Sequence, residues 1–368
     1  MTLLLLLSTA ALGGYLWTKA RRTRKASPRT AQGAPGPAGA AARLGLVPAD
    51  EIGGARVHTP DPRDEEIRAA VRTGDWRAGA AFLDGAGRDR PERYRRAAVL
   101  QDEAAHDDAW LLAWRAARPE DAGAALVHAG ALIGVAAQVH GTNPTRTPTW
   151  EQCSLFRQVM LRAREACHEA QALADDDPCP YVAEIPCALG LGYGHDECRV
   201  LWAKVVGRGA PGLAAHDAVL RYWCHRWAGS HVPAEYLAHE AARLGGPGGL
   251  LSLLPLYAAF KRERADRKTD ADVYYRSPEL IAAVDACLID VAAAVATAPG
   301  DRRIVRARHM LAWTLYWQDR YRAAVEQFRA IDGHFDGGAP WSYCADPKGF
   351  YVRSREYSAE RVLEGKGG

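Results

Sequence analysis

Residues 304–331 read IVRARHMLAWTLYWQDRYRAAVEQFRAI, and they carry the clearest structural pattern in the chain. Apolar residues recur every three or four positions over 304–317 and again over 322–331, which places them on one face of a helix in each stretch. Residues 319–321, Asp-Arg-Tyr, interrupt the pattern. The stretch therefore predicts two helices joined by a tight turn, which is a helical hairpin.

A similar arrangement begins the patterned part of the chain. Short helical patterns cover residues 66–71 and 77–83, and Gly74-Asp75-Trp76 lies between them. Glycine is the residue that most readily adopts the left-handed conformation needed where a chain reverses between helices. We therefore expect helical hairpins over residues 63–140.

The hairpin at 304–331 resembles a tetratricopeptide repeat (TPR), which carries small and aromatic residues at fixed spacings. The residues at those offsets are Leu311, Ala312 and Leu315 in the first helix and Tyr321, Ala324, Phe328 and Ile331 in the second. Asp319 departs from the pattern because Gly is usual there, and Arg308 stands where Trp is often found. Residues 221–230, RYWCHRWAGS, are similar to a segment of uncharacterised bacterial TPR-like proteins of unknown function. The resemblance implies a helical-repeat fold and no particular activity.

Prolines divide the rest of the chain into segments. Pro178, Pro211, Pro247 and Pro299 follow one another at intervals of 33, 36 and 52 residues. Proline cannot continue a helix and suits the start of the next one, so each closes one unit and opens another. The first two intervals fit a repeat of about 34 residues, and the charged stretch 261–272 accounts for the longer third interval.

These patterns predict an all-α fold, a TPR-like helical-hairpin solenoid with an N-terminal hydrophobic anchor helix. The expected regions are an anchor or signal segment at 1–18, a linker at 19–62, the first hairpins at 63–140 and the repeat array at 150–363. The linker is basic at first and then rich in Ala, Gly and Pro, a composition typical of a disordered tether.

Residues 2–17, TLLLLLSTAALGGYLW, contain no charge and predict a short membrane-spanning helix. The residues expected at the membrane interface are Tyr15, Trp17, Lys19, Arg21 and Arg22. Positive charge after an apolar segment keeps that side cytoplasmic, so a single-pass protein with a cytoplasmic body is expected. The alternative is a secreted body after signal cleavage, although no Lys or Arg precedes the apolar core as a signal peptide requires.

Charge and cysteine usage narrow the classes of partner. The net charge is +3, and the basic excess lies within residues 19–29. The remainder is slightly acidic, and this argues against a nucleic-acid partner, which needs a basic face. The chain has eight cysteines and no CxxC pair. In a chain of this size they are expected to be reduced core residues.

Candidate binding residues lie in the densest aromatic and cationic stretch. Trp223 and Trp227 are four residues apart and share one helix face, with Arg226 one turn from Trp223. Aromatic and arginine side chains are common anchors of binding surfaces, so these three are candidates for an unknown protein or peptide partner. Packing against a neighbouring hairpin is the simpler interpretation for Trp223.

An enzyme or metal-binding protein is the alternative, with a pocket lined by His and Cys around residues 195–239. The residues considered are His195, Cys198, His216, His225, His231 and His239. Their spacings match no zinc signature, and sequence neighbours such as His195 and Cys198 do not by themselves form a catalytic pair. Residues 190–194, GLGYG, lack the sequence of a phosphate loop and predict a turn between helices. We therefore expect no catalysis, cofactor or metal, and a scaffold function.

Overall fold

The computed structural model describes residues 39–53, 61–140, 148–210, 212–224, 230–266 and 269–366. Within these ranges the chain forms helices, turns and irregular segments and contains no β-strand, so the predicted all-α fold is confirmed. Contacts group the described residues into two compact units. The first contains residues 61–230, and the second contains residues 39–53 together with 231–366. The predicted anchor at 1–18 lies outside the described residues.

Helices are numbered in chain order across both units. The second unit contributes α1 (Ala40–Arg43). The first unit then provides α2 (Pro62–Arg72), α3 (Trp76–Asp84), α4 (Arg90–Ala104), α5 (Ala109–Ala117), α6 (Ala122–His140), α7 (Trp150–Leu173), α8 (Cys179–Leu191), α9 (His195–Gly207) and α10 (Gly212–Trp223).

The first predicted hairpin is confirmed as α2 and α3. Gly74 adopts a φ of +92°, the left-handed conformation that reverses the chain. Asp75 then begins α3, because its carboxylate accepts hydrogen bonds from the main-chain N–H groups of Arg77 and Ala78 at 3.1 and 3.2 Å. The turn at 190–194 is also confirmed, since α8 ends at Leu191 and Gly192 has a φ of +76°.

The core of the first unit is continuous across the predicted boundary between residues 140 and 150. Helix α6 packs extensively against α7 and also contacts α4 and α8. Trp76 and Trp114 stack with ring centroids 6.3 Å apart in the same hydrophobic core. The units divide at residue 230, whereas the sequence patterns set a boundary between regions 63–140 and 150–363. The apolar faces of α6 and α7 bury each other and place both helices in one unit.

The second unit continues with α11 (His231–Leu244), α12 (Leu253–Ala265), α13 (Ala271–Tyr274), α14 (Pro278–Thr297), α15 (Arg302–Trp317), α16 (Tyr321–Ile331), a 3-10 turn (Trp341–Tyr343) and α17 (Pro347–Leu363). Its core is aromatic. Trp313 on α15 packs edge-on against Phe260 on α12 and against Trp341, with ring centroids 5.6 and 5.4 Å apart. These contacts join α12, α15 and the turn before α17.

Helices α15 and α16 confirm the helical hairpin predicted at 304–331. Asp319 has a φ of +59°, which explains why glycine is usual at this position. Half-buried Arg308 on α15 donates a hydrogen bond from Nη1 to Gln327 Oε1 on α16 at 3.0 Å. A polar bond therefore joins the two helices where a repeat often places a tryptophan.

Part of the predicted linker is folded. Helix α1 packs against α17, and residues 49–51 form a 3-10 turn. The prediction of a disordered linker at 19–62 is therefore wrong for residues 39–53. Tertiary contacts with distant helices order this stretch despite its composition. Residues 19–38 and 54–60 lie outside the described residues.

Two described helices, α6 and α14, are long and apolar enough to cross a membrane by length and composition. Buried core helices can pass the same test. Helix α6 packs against α4, α7 and α8, which accounts for its apolar sequence. Helix α14 packs against α12 and α15 along one face, and Ile289 on its other face is 72% exposed.

Candidate functional site

The predicted aromatic and cationic site is described only at Trp223. This side chain is buried at the end of α10, where its ring lies 5.1 Å from that of His195 and 5.5 Å from the Arg199 guanidinium carbon. Trp223 therefore packs against α9, as the simpler interpretation predicted. Arg226 and Trp227 lie outside the described residues, as do the predicted interface residues Tyr15, Trp17, Lys19, Arg21 and Arg22.

The His and Cys residues predicted around 195–239 have separate structural roles where they are described. Cys198 is fully buried, and burial raises its pKa to about 12. His216 donates a hydrogen bond from Nδ1 to the Gly212 C=O at 2.8 Å, and its ring packs edge-on against Trp202. Burial lowers the pKa of His216, so its imidazole is neutral at pH 7.

No cluster of at least three His, Cys, Asp or Glu side chains able to hold a metal ion occurs in the described ranges. His231 and His239 belong to α11 in the second unit, whereas His195 and His216 belong to the first. His225 lies outside the described residues. The enzyme or metal-binding alternative therefore gains no metal cluster from the described residues and stays a hypothesis.

We predict that iodoacetamide at pH 8 will label one cysteine of the native chain quickly. Cys153 is exposed, whereas six other cysteines are buried: Cys167, Cys179, Cys187, Cys198, Cys224 and Cys287. The thiolate is the reactive form, and burial raises the pKa of Cys287 to about 12 and of Cys344 to about 11. Mass spectrometry should show fast labelling at Cys153, slow labelling at half-buried Cys344, and labelling of the six others only in urea. Cys153→Ser should abolish the fast phase, and fast labelling of native Cys198 would contradict this prediction.

A surface that sequence reasoning missed lies in the second unit. We call residues 39–53 the N-terminal strap, and we call the residues that hold it the seat: Arg329 on α16, Arg355 and Glu356 on α17, and Gly333 between these helices. Four hydrogen bonds join them: Ala41 N–H to Glu356 Oε2 (3.2 Å), Arg329 Nη2 to Leu44 C=O (3.0 Å), Arg355 Nη1 to Val47 C=O (2.5 Å) and Gly53 N–H to Gly333 C=O (3.0 Å). Every strap atom in these bonds belongs to the main chain.

Apolar side chains anchor the strap at three places. Ala41 and Ile52 are each 1% exposed, and Leu46 is 5% exposed. The residues between them, such as Ala42 and Asp50, are exposed. The strap therefore combines a few buried apolar anchors with main-chain hydrogen bonds, as bound peptides do.

Two buried polar groups on α17, one of them in the seat, are incompletely satisfied. Among the described residues, the Tyr351 hydroxyl and Arg355 Nε are buried and have no hydrogen-bond partner. Arg355 is 4% exposed, and burial lowers the pKa of its guanidinium. No carboxylate of the described residues forms an ion pair with it. Such groups are costly to bury without a partner.

The seat could not be read from local sequence patterns, because its contacts join residues 280 to 315 positions apart. The sequence contained one indication of an ordered segment: Ala41, Leu46 and Ile52 are apolar residues five and six positions apart within a stretch rich in Gly and Pro. No protein-family model, no curated protein and no solved structure matched this chain.

Proposed function

We propose that this chain is a membrane-tethered scaffold whose TPR-like helical hairpins bind a protein or peptide partner. The observation that supports this most is the way the second unit holds the strap, through main-chain hydrogen bonds and buried apolar anchors. Recognition of this kind uses groups that every polypeptide offers. Stacked helical repeats also present extended surfaces suited to polypeptides.

Capture from detergent-solubilised membranes tests the scaffold. The bait is the full chain, and its control carries residues 1–38 on an unrelated folded domain. The same protein should be retained by the full chain in repeated captures and be absent from the control. Recovery of nothing above the control would overturn the proposed binding function.

The tether is proposed from the apolar segment 2–17 and the basic residues that follow it. Deletion of residues 2–17 should move the chain from the carbonate-resistant membrane pellet to the soluble fraction, because it removes the proposed anchor. The positive charges that follow the segment favour a cytoplasmic body. Protease added to intact cells should therefore leave the body uncut. Digestion from outside would refute this orientation, and a deleted chain that stays in the pellet would refute the tether.

A further inference from the structure

The seat recognises the strap in a way that does not depend on most strap side chains. Its polar contacts reach the C=O groups of Leu44 and Val47 and the N–H groups of Ala41 and Gly53. Any peptide with the same path offers these atoms. Selectivity is then left to the apolar anchors, Leu46 and Ile52, and to the small residues at 40 and 41.

The strap carries small residues where it enters the seat, at Gly39, Ala40 and Ala41. A Cβ atom added to Gly39 would lie 2.5 Å from Glu356 Oε1, much closer than van der Waals contact. Ala40 and Ala41 are buried directly after it. A side chain at residue 39 would therefore require the Glu356 carboxylate, which accepts from the Ala41 N–H, to shift.

The strap is an imperfect occupant, because it leaves Nε of Arg355, a buried donor of the seat, without a partner. Tyr351 and Arg355 lie one helical turn apart on α17, and the Tyr351 hydroxyl and Arg355 Nε lack partners among the described residues. The strap offers Arg355 a neutral carbonyl oxygen, that of Val47. A carboxylate would accept from the guanidinium and compensate its buried charge, which a carbonyl cannot do.

We propose that the seat is a peptide-binding groove that the strap occupies in cis. Its partner is a peptide segment with two small residues, aliphatic anchors five and eleven residues after the second of them, and an acidic side chain opposite Arg355. The strap acts as an internal competitor that the partner displaces. This inference rests on the proposed scaffold function and names the binding face and the class of partner.

The first test releases the strap in the full chain and supplies it again as a separate peptide. Leu46→Asp with Ile52→Asp removes two anchors and changes no residue of the helical body. Ala42→Asp is the matched control, because Ala42 is an exposed strap residue. The probe is a fluorescein-labelled, amidated peptide of residues 39–53, and fluorescence anisotropy reports its binding.

We expect the released chain to bind the peptide at least about tenfold more tightly than the wild type and Ala42→Asp. In the wild type and in Ala42→Asp, the tethered strap competes with the peptide at an effective concentration on the order of millimolar. A released chain that keeps its helical circular dichroism but does not bind the peptide overturns the inference. In that event, partner capture by the wild-type chain would still leave the scaffold proposal standing.

Variants of the seat test the proposed contacts, and a variant of the peptide tests the preference for an acidic residue. In the released chain, Arg329→Ala should weaken peptide binding about tenfold, because the bond to the Leu44 C=O is lost. Arg322→Ala on the same helix should leave binding unchanged, since Arg322 is exposed and is not among the residues that bond to the strap. A peptide with Val47→Glu should bind about tenfold more tightly. Equal effects of Arg329→Ala and Arg322→Ala would contradict the proposed contacts of the seat. If Val47→Glu does not tighten binding, the preference for an acidic residue is contradicted.

Discussion

Replacement of Trp114 by alanine should lower the free energy of unfolding of the first unit by about 3–5 kcal/mol. Trp114 is 1% exposed and stacks on Trp76, and its Nε1 donates a hydrogen bond to Asp121 Oδ2 at 2.9 Å. The substitution leaves a cavity between α3 and α5. It also removes one partner of Asp121, the carboxylate that accepts from the Gly123 N–H at the start of α6. Three helices are therefore affected at once.

Trp150 provides a matched control in the same unit, because its side chain is 73% exposed at the start of α7. Trp150→Ala should change the free energy of unfolding by less than about 0.5 kcal/mol. Urea unfolding followed by far-ultraviolet circular dichroism measures both variants. Similar midpoints for Trp114→Ala and the wild type would show that the stacked pair does not hold the first unit together.

Acid should destabilise the second unit through His309 by about 3 kcal/mol between pH 7 and pH 4. His309 is 6% exposed on α15, and its Nδ1 accepts a hydrogen bond from Trp341 Nε1 at 3.0 Å. Burial lowers its pKa to about 4, and the charge of His334 acts in the same direction while Asp336 opposes it. Protonation would place charge in the core and remove the acceptor that Trp341 needs.

The direction of the effect follows from proton binding. An unfolded histidine has a pKa of about 6.5. Between pH 6.5 and pH 4 the unfolded chain binds a proton at residue 309 that the folded chain does not, so unfolding becomes more favourable as pH falls. Below about pH 4 both states are protonated, and this residue causes no further loss.

His309→Gln isolates this contribution, because glutamine does not titrate and its amide oxygen can accept from Trp341. Urea midpoints of wild type and variant should be compared at several pH values between 7 and 4. The wild type should lose about 3 kcal/mol more than the variant across this window. Parallel pH dependences would show that His309 is protonated without cost in the folded protein.

Local patterns predicted the helical hairpins because their determinants are local. Apolar spacing identified the helices, and Gly74 identified a turn whose φ is positive. The same reasoning predicted the chain reversal near Asp319, where a non-glycine residue adopts the left-handed conformation. The sequence also favoured core packing for Trp223, and the structure buries this side chain.

The seat and the division into two units could not be predicted in this way. The composition of residues 39–53 indicates a flexible linker, yet Arg329 and Arg355 order it from positions 285 and 308 residues further along. The division at residue 230 depends on which apolar faces pair, for example those of α6 and α7. Neither kind of contact leaves a periodic signal in sequence.

The contacts between the strap and the seat also determine which unit can fold first during synthesis. The first unit, residues 61–230, is continuous in sequence and can fold before synthesis ends, whereas the second unit needs residues 39–53 together with residues after 230. Leu44 precedes its partner Arg329 by 285 residues. At about 5–20 residues per second, the nascent strap exposes Leu46 and Ile52 for roughly 15–60 s before its seat exists. During that interval, Leu46 and Ile52 are accessible to chaperones or to a membrane surface, because the seat that will bury them has not been synthesised.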